Sequence, residues 1–254
     1  MSSLVQVEGR AATLIITIDR PQQRNAINRD TSYAIAAALD RLDAEPQLRV
    51  GILTGRGGNF CAGMDLKAFV SGERAELDGR GFGGLTERGP VKPLIAAVEG
   101  YALAGGCELA LACDLIVAAE DAQFGLPEVK RGLVAGSGGL VRLPRRIPAG
   151  IALEYALTGD RMSAADAHRW GMVNRLTPPG QALDGALALA ESITVNAPLA
   201  VAMTKRIIRE AHSWPDADVW ELQRPLTESV VSSDDAKEGA LAFTEKRSPV
   251  WRGQ

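Results

Sequence analysis

Two glutamates, Glu108 and Glu128, sit in surroundings more apolar and glycine-rich than a solvated surface requires. Glu108 ends the run Ala104-Gly-Gly-Cys-Glu and is followed by Leu-Ala-Leu-Ala, while Glu128 follows Phe124-Gly-Leu-Pro. Carboxylates placed this way are structural ion pairs or working acids and bases, because burial disfavours the charged form and moves the proton affinity towards neutrality. Each has a plainer explanation beside the chemical one. Gly-Gly before a helix serves close packing, and Glu128 has Lys130 and Arg131 as natural partners. Nearby lie two more glycine-rich turns, Cys61-Ala-Gly-Met-Asp65 and Gly136-Ser-Gly-Gly139. Each precedes a predicted helix, whose first N–H groups have no partner inside it and attract negative charge.

Other chemistries find less support. Three cysteines (Cys61, Cys107, Cys113) are an odd number with no zinc spacing, and only two histidines are available. His168 and His212 fall in ordinary helical contexts, and Ser137 has no histidine near it in sequence. The formal net charge of -3, from 28 basic and 31 acidic residues, creates no field for nucleic acid or an anionic membrane. Any anionic ligand must therefore be held by a local patch. The most apolar region, Leu94 to Ala119, is interrupted by Glu99, Glu108 and Asp114, which makes it core rather than membrane. The N-terminus, Met-Ser-Ser-Leu-Val-Gln-Val-Glu, lacks the basic segment and long apolar run of a signal peptide. A cytoplasmic enzyme is the expected class.

The elements that must position these groups follow from periodicity. Val5–Glu8 and Thr13–Ile18 are β-branched runs split by Gly9-Arg10, which predicts a hairpin turning there. Apolar residues at helical spacing predict a helix over Asn28–Ala44, stopped by Pro46. Val50–Thr54 is a predicted strand, followed by a loop and a short helix capped by Asp65. Ser71–Gly89 reads as a mobile polar loop with room for a helical piece. Leu94–Val98, Asp114–Ala119 and Gln123-Phe124 are predicted strands around a helix at Gly105–Cys113. Strands alternating with helices predict an α/β arrangement with mostly parallel crossovers. After Gly136 nearly everything reads as helix, interrupted only by a strand at Val173–Leu176. The chain thus divides into a sheet-containing core over 1–190 and a helical region over 191–254, the latter suited to packing against other copies.

Taken together, Phe60-Cys-Ala-Gly-Met-Asp-Leu-Lys67, the run Pro93 to Asp114 with Ala-Gly-Gly-Cys-Glu inside it, Phe124-Gly-Leu-Pro-Glu128 and Gly136-Ser-Gly-Gly-Leu-Val-Arg-Leu143 resemble the enoyl-CoA hydratase/isomerase (crotonase) superfamily. The resemblance runs from Pro21-Gln-Gln-Arg-Asn-Ala26 to Glu245-Lys-Arg-Ser-Pro-Val-Trp251. It implies a spiral of ββα units with a helical C-terminal trimerisation region, assembled as a homotrimer or a dimer of trimers. It also implies an acyl-CoA thioester substrate, with no metal and no separate cofactor because coenzyme A arrives as part of the substrate. The backbone N–H groups of Met64 and Gly105 would form an oxyanion hole for the thioester carbonyl. Glu108 would take a proton from water as it attacks C3, Glu128 would deliver one to C2, and Gly136 N–H would help hold the water. Arg24, Ala62, Asp65, Leu66 and Lys67 would meet coenzyme A, and Phe243 and Lys246 would reach the nucleotide in an adjacent active site.

Within the family, Gly79-Arg-Gly-Phe-Gly-Gly-Leu-Thr-Glu87 and the ending Ala242 to Trp251 resemble carnitinyl-CoA dehydratases and hydratases of sterol side-chain breakdown. Carnitinyl enzymes and dienoyl-CoA isomerases tend to carry aspartate where this chain has Gly136, which points to a plain hydratase. A Δ3,Δ2-enoyl isomerase needs one glutamate, and this chain retains two. The loop 71–89 with Ala102 and Ala104 is expected to shape the acyl pocket. An RNA-binding relative would need a lysine-rich face on the first helix, whereas Arg29, Arg41 and Arg49 stand there against Asp30, Asp40, Asp43 and Glu45.

Overall fold

The computed structural model describes residues 4–254; Met1, Ser2 and Ser3, part of the N-terminus read above, lie outside them. Strands β1 (Val5–Arg10) and β2 (Thr13–Ile18) pair antiparallel and turn at Ala11-Ala12 rather than at Gly9-Arg10. Gly9 remains in the ladder opposite Leu14, and Ala11 takes the positive φ of 52° that the two-residue turn requires. Helix α1 (Arg29–Ala44) starts where Asn28 caps the Thr31 N–H, and β3 (Val50–Gly55) follows. After the short helix α2 (Leu66–Val70), two-residue strands β4 (Glu76–Leu77) and β5 (Gly81–Phe82) pair as a small hairpin.

That hairpin corrects the reading of Ser71–Gly89 as a mobile loop. Ala75, Leu77, Phe82 and Leu85 are buried, so its few apolar side chains seat the segment on the core, and it contains no helix. Its high content of glycine and charge hid those anchors.

Next come β6 (Leu94–Val98), β7 (Tyr101–Leu103), α3 (Gly105–Ala112), β8 (Leu115–Ala119) and β9 (Gln123–Gly125). A 3-10 turn (Pro127–Arg131) leads to α4 (Gly139–Arg146) and α5 (Ala149–Thr158). The remainder is β10 (Met162–Ser163), α6 (Ala164–Arg169), β11 (Arg175–Thr177), α7 (Ala182–Thr194), α8 (Pro198–Glu210), α9 (Val219–Val231) and α10 (Asp234–Glu245). The main sheet runs β1-β2-β3-β6-β8-β11, parallel from β2 onward, and a second sheet runs β10-β9-β7. The expected parallel α/β pattern is therefore present.

Alternation along the parallel strands gives the main sheet two buried faces. Leu53, Ala96, Val98, Ile116 and Ala118 point into the large core with α1 and α3. Val50, Ile52, Ile95, Ala97 and Val117 point the other way, where Ala182, Ala186 and Ala190 of α7 pack at i, i+4 spacing. Alanines on that stripe let the helix approach the sheet closely, and its N-terminal N–H groups are held by Glu99, which accepts from Gly180 and Ala182. Helix α7 runs on to Thr194, beyond the last strand of the sheet, β11, which ends at Thr177.

Helices α8 and α9 bury no residue fully, while Ile208, Trp220, Leu241 and Phe243 stand exposed on the helical region. Its firmest tie to the core is Asp114, whose carboxylate meets Lys205 at 2.8 Å and Arg209 at 3.0 Å and accepts the Leu94 N–H. Among the described residues no single helix is long and apolar enough to cross a membrane.

Candidate active site

The loop 59–65 is stitched to β7, which leads straight into α3. Cys61 N–H donates to Tyr101 O at 2.9 Å, and Leu103 N–H donates to Cys61 O at 3.0 Å. On its far side, Ile27 N–H donates to Gly63 O and Asp65 N–H donates to Ile27 O, both at 2.8 Å. These bonds flank Met64, whose own N–H has no acceptor among the described residues. Gly105, at the first position of α3, likewise has its N–H free. The two loops lie so close that a side-chain carbon on Gly63 would stand 3.2 Å from Gly105 N. Glycine is obligatory at Gly106, where a Cβ would overlap the Cys61 carbonyl oxygen and lie 2.7 Å from its carbon. Ala104, just before α3, adopts φ 52° and ψ -129°, a region that costs a non-glycine residue strain and that clusters at functional sites.

One turn into α3, Glu108 is only 3% exposed. Its Oε1 accepts the Ser137 N–H at 2.7 Å and the Gly139 N–H at 2.9 Å. Burial raises its pKa above the usual carboxylate range, even though those two N–H groups and the nearby Arg142 charge favour the anion. Glu128 stands in the 3-10 turn, and its Oε2 is buried without a hydrogen-bond partner. Burial, followed by the charge of Glu108, raises its pKa against the opposing effects of its own backbone N–H and Arg131. The plainer reading of Glu128 thus fails in one respect: Lys130 pairs with Asp160 at 2.7 Å, not with Glu128. The charge of Glu108 thus reaches Glu128 across the site.

A cavity of about 370 Å³ opens beside Glu128 between the 3-10 turn, α4 and α5. Leu126, Val134, Leu140, Ala152, Leu153 and Leu157 line it, and among the described residues Glu128 is its one ionisable wall residue. Ala102 is fully buried in β7 and does not line this cavity. The Leu/Ala composition of α5 was the available signal, but it reads equally well as an ordinary packed helix.

The remaining predicted positions divide in two. Arg24 is exposed in the left-handed conformation with its carbonyl accepting the Ala62 N–H at 3.0 Å, so it sits beside the strip Ala62 to Lys67. Leu66 and Lys67 are exposed there. The Asp65 side chain is already committed to capping α2 through Lys67 N–H and Ala68 N–H and to pairing with Arg20 at 2.7 Å. Burial alone would raise its pKa, but the Arg20 and N–H bonds outweigh it and hold the carboxyl below the usual range. Phe243 and Lys246 are exposed on and just after α10, and no hydrogen bond or ion pair joins them to the Arg24–Lys67 strip. Gly136 is exposed in the turn before α4 with its N–H free, next to the Ser137 and Gly139 donors that hold Glu108.

Residues 8–254 match the family described as enoyl-CoA hydratase/isomerase. The chain belongs to that family. A carnitinyl-CoA dehydratase from Salmonella enteritidis is 46% identical over 262 residues, with the whole of both chains covered. Among solved structures, an enoyl-CoA hydratase from Mycobacterium marinum is 62% identical with a TM-score of 0.97, covering 99% of each chain. A carnitinyl-CoA hydratase from Mycobacterium avium is 48% identical with a TM-score of 0.80 and complete coverage of both. The crotonase fold expected from the resemblance is the fold of this chain.

Proposed function

We propose that the protein is a hydro-lyase that adds water across the C2–C3 double bond of a 2-enoyl-CoA thioester and catalyses the reverse dehydration. The observation that carries this reading is the pair Glu108 and Glu128: a buried and a half-buried carboxylate with raised pKa values, one clamped by backbone donors and the other with an unpartnered buried oxygen at an apolar cavity. In the proposed reaction, the free N–H groups of Met64 and Gly105 receive the thioester oxygen as negative charge develops on it. Preorganised donors of this kind lower the barrier by roughly 3–4 kcal/mol each. Glu108 takes a proton from water as its oxygen bonds to C3, and Glu128 protonates C2. Two interacting carboxylates with raised affinities allow one to be ionised while the other is protonated. Gly136 N–H is assigned to the attacking water. Polarisation by backbone donors leaves the proposed chemistry without need of a metal or separate cofactor.

The names of the curated relatives favour a carnitinyl acyl group over the plain hydratase expected from Gly136. The apolar cavity favours an uncharged acyl group, because a quaternary ammonium is recognised by aromatic faces or acids and the lining offers only Glu128. Both substrates undergo the same C2–C3 chemistry. Incubation with crotonyl-CoA, longer 2-enoyl-CoAs, a sterol-derived enoyl-CoA and crotonobetainyl-CoA, following loss of enoyl-thioester absorbance, separates them. Turnover of crotonobetainyl-CoA above the uncharged esters would establish the carnitinyl reading. Turnover of none would refute the hydro-lyase.

The exposed apolar residues of the helical region support assembly as a trimer or a dimer of trimers, with Phe243 and Lys246 offered to a neighbour's coenzyme A. Arg24 and Lys67 are the cations assigned to the coenzyme A phosphates, beside backbone contacts from Ala62, Asp65 and Leu66. Three buried free thiols fit a reducing compartment, and a cytoplasmic location belongs to the same proposal.

A further inference from the structure

The loop that holds Glu108 is itself held from behind. Arg142, on α4, donates from Nη1 to Ser137 O at 3.2 Å and from Nη2 to Thr86 O. The Ser137 residue is thus gripped at both ends: its N–H on Glu108 Oε1, its carbonyl on the guanidinium. Gly138 leaves room for this grip, since a Cβ there would overlap Arg142 Nη1 and lie 3.0 Å from Cζ. Thr86 belongs to the segment carrying Phe82, whose ring packs on Gly105 at the start of α3, where a Cβ would lie 2.6 Å from the ring's Cζ. One guanidinium therefore ties the turn 137–139 to the segment that backs the proposed oxyanion donor.

We infer that Arg142 is a positioning residue of the reaction, fixing the Ser137 and Gly139 donors on Glu108 and supplying a cation that faces that carboxylate. This rests on the hydro-lyase reading for its kinetic consequences and on geometry alone for the coupling to Glu108. Glu108 is faced by Glu128 from the 3-10 turn and by Arg142 from α4. Arg142 in turn is faced by Arg209 from α8, by Arg145 on its own helix and by the Cys113 thiol. Burial and these cations lower the pKa of Arg142, and Glu108 opposes that shift, so the two groups depend on one another.

The test uses the full-length protein with Arg142→Met and Arg142→Lys. One readout is the pH profile of kcat and kcat/KM on the best enoyl-CoA. The other is a 13C NMR titration of the Glu108 carboxyl, assigned by its disappearance in Glu108→Gln. In Arg142→Met, kcat should fall roughly 10- to 100-fold with KM nearly unchanged, the loss expected when a reacting group is misplaced by a fraction of an ångström to an ångström. Removing a cation beside a carboxylate raises its pKa, so the acid limb of the profile and the NMR midpoint should both move up. Arg142→Lys keeps the charge but not the planar fork, so the midpoint should stay near wild type while kcat remains low. An unchanged midpoint and kcat in folded Arg142→Met would overturn the inference. Should that variant not fold, wild-type kcat in Arg142→Lys would overturn it instead. If the wild-type protein hydrates no enoyl thioester, the hydro-lyase reading fails separately, and the NMR midpoint still decides whether Arg142 governs Glu108.

Discussion

Replacing Gly106 by alanine tests the proposed oxyanion hole through packing rather than through a reacting group. The added Cβ would overlap the Cys61 carbonyl oxygen, with 2.7 Å to its carbon and 3.0 Å to the Cys61 Cβ. Those separations are about 1 Å short of the ~3.5–4.0 Å of an unstrained carbon contact. Cys61 cannot yield easily, because its N–H and carbonyl are both engaged with β7 through Tyr101 and Leu103. The displacement therefore falls on the gap between α3 and the loop 59–65, which is the gap between Gly105 N–H and Met64 N–H. Overpacking of this kind costs about 1–3 kcal/mol of stability, so Tm should fall by several degrees at roughly 2–4 °C per kcal/mol. The larger effect is kinetic: disturbing one oxyanion donor lowers kcat about 10²–10³-fold. The assay is steady-state hydration of crotonyl-CoA or the best enoyl ester, with calorimetry alongside. Gly150→Ala is the control, since a Cβ there meets nothing within 4 Å; it should stabilise α5 by up to about 1 kcal/mol and leave kcat unchanged. A folded Gly106→Ala protein with kcat within a few-fold of wild type would refute the placement of the oxyanion hole.

Four further outcomes follow from the same geometry. Glu128→Gln should lower turnover by about 10²–10⁴ yet raise Tm. Its folded pKa lies above that of an unfolded glutamate, so the buried carboxylate costs nothing at pH below the unfolded value and destabilises the fold increasingly as pH rises through the folded value. The Tm gain of the variant should therefore be near zero below the unfolded glutamate's value of about 4.3 and positive in neutral and alkaline buffer; the opposite trend would contradict the burial argument. Ala104→Gly should relieve about 1–3 kcal/mol of backbone strain, less about 0.5–1 kcal/mol of glycine entropy, and raise Tm on calorimetry by a few degrees. Ala152→Phe should lower kcat/KM for long-chain enoyl-CoA by roughly tenfold or more while sparing crotonyl-CoA, if the cavity between α4 and α5 holds the acyl chain. Trp220→Glu should shift sedimentation towards smaller species, because it places a charge on the exposed apolar face of the helical region.

Much of the site was legible because it rests on short local patterns. Glycine before Glu108, proline before Glu128 and Asp65 as a cap each announce a turn and the residue it presents. The β-branched runs and the helical spacing of α1 likewise carry their elements in the local pattern. Long-range pairing was harder to read. Nothing near Glu108 in sequence shows that Ser137 and Gly139 will hold it, since those bonds span 29 and 31 residues. Arg142 was invisible for the same reason: within Leu-Val-Arg-Leu-Pro-Arg-Arg it reads as one basic residue of an amphipathic helix. The segment 71–89 misled because glycine and charge dominate its composition, while four buried apolar side chains determine its place. The cavity wall on α5 escaped because leucines that line a cavity and leucines that fill a core have the same spacing.

The central claim is that Glu108 and Glu128 together add water to an enoyl thioester. Single-turnover reaction of the best enoyl-CoA in H2(18)O, with wild type, Glu108→Gln and Glu128→Gln, tests it most directly when read by mass spectrometry of the 3-hydroxyacyl product. Wild type should place 18O on C3, and each variant should lose about 10²–10⁴ in rate while binding the thioester with nearly unchanged affinity. A product lacking 18O at C3, or either variant retaining near-wild-type rate, would contradict the account.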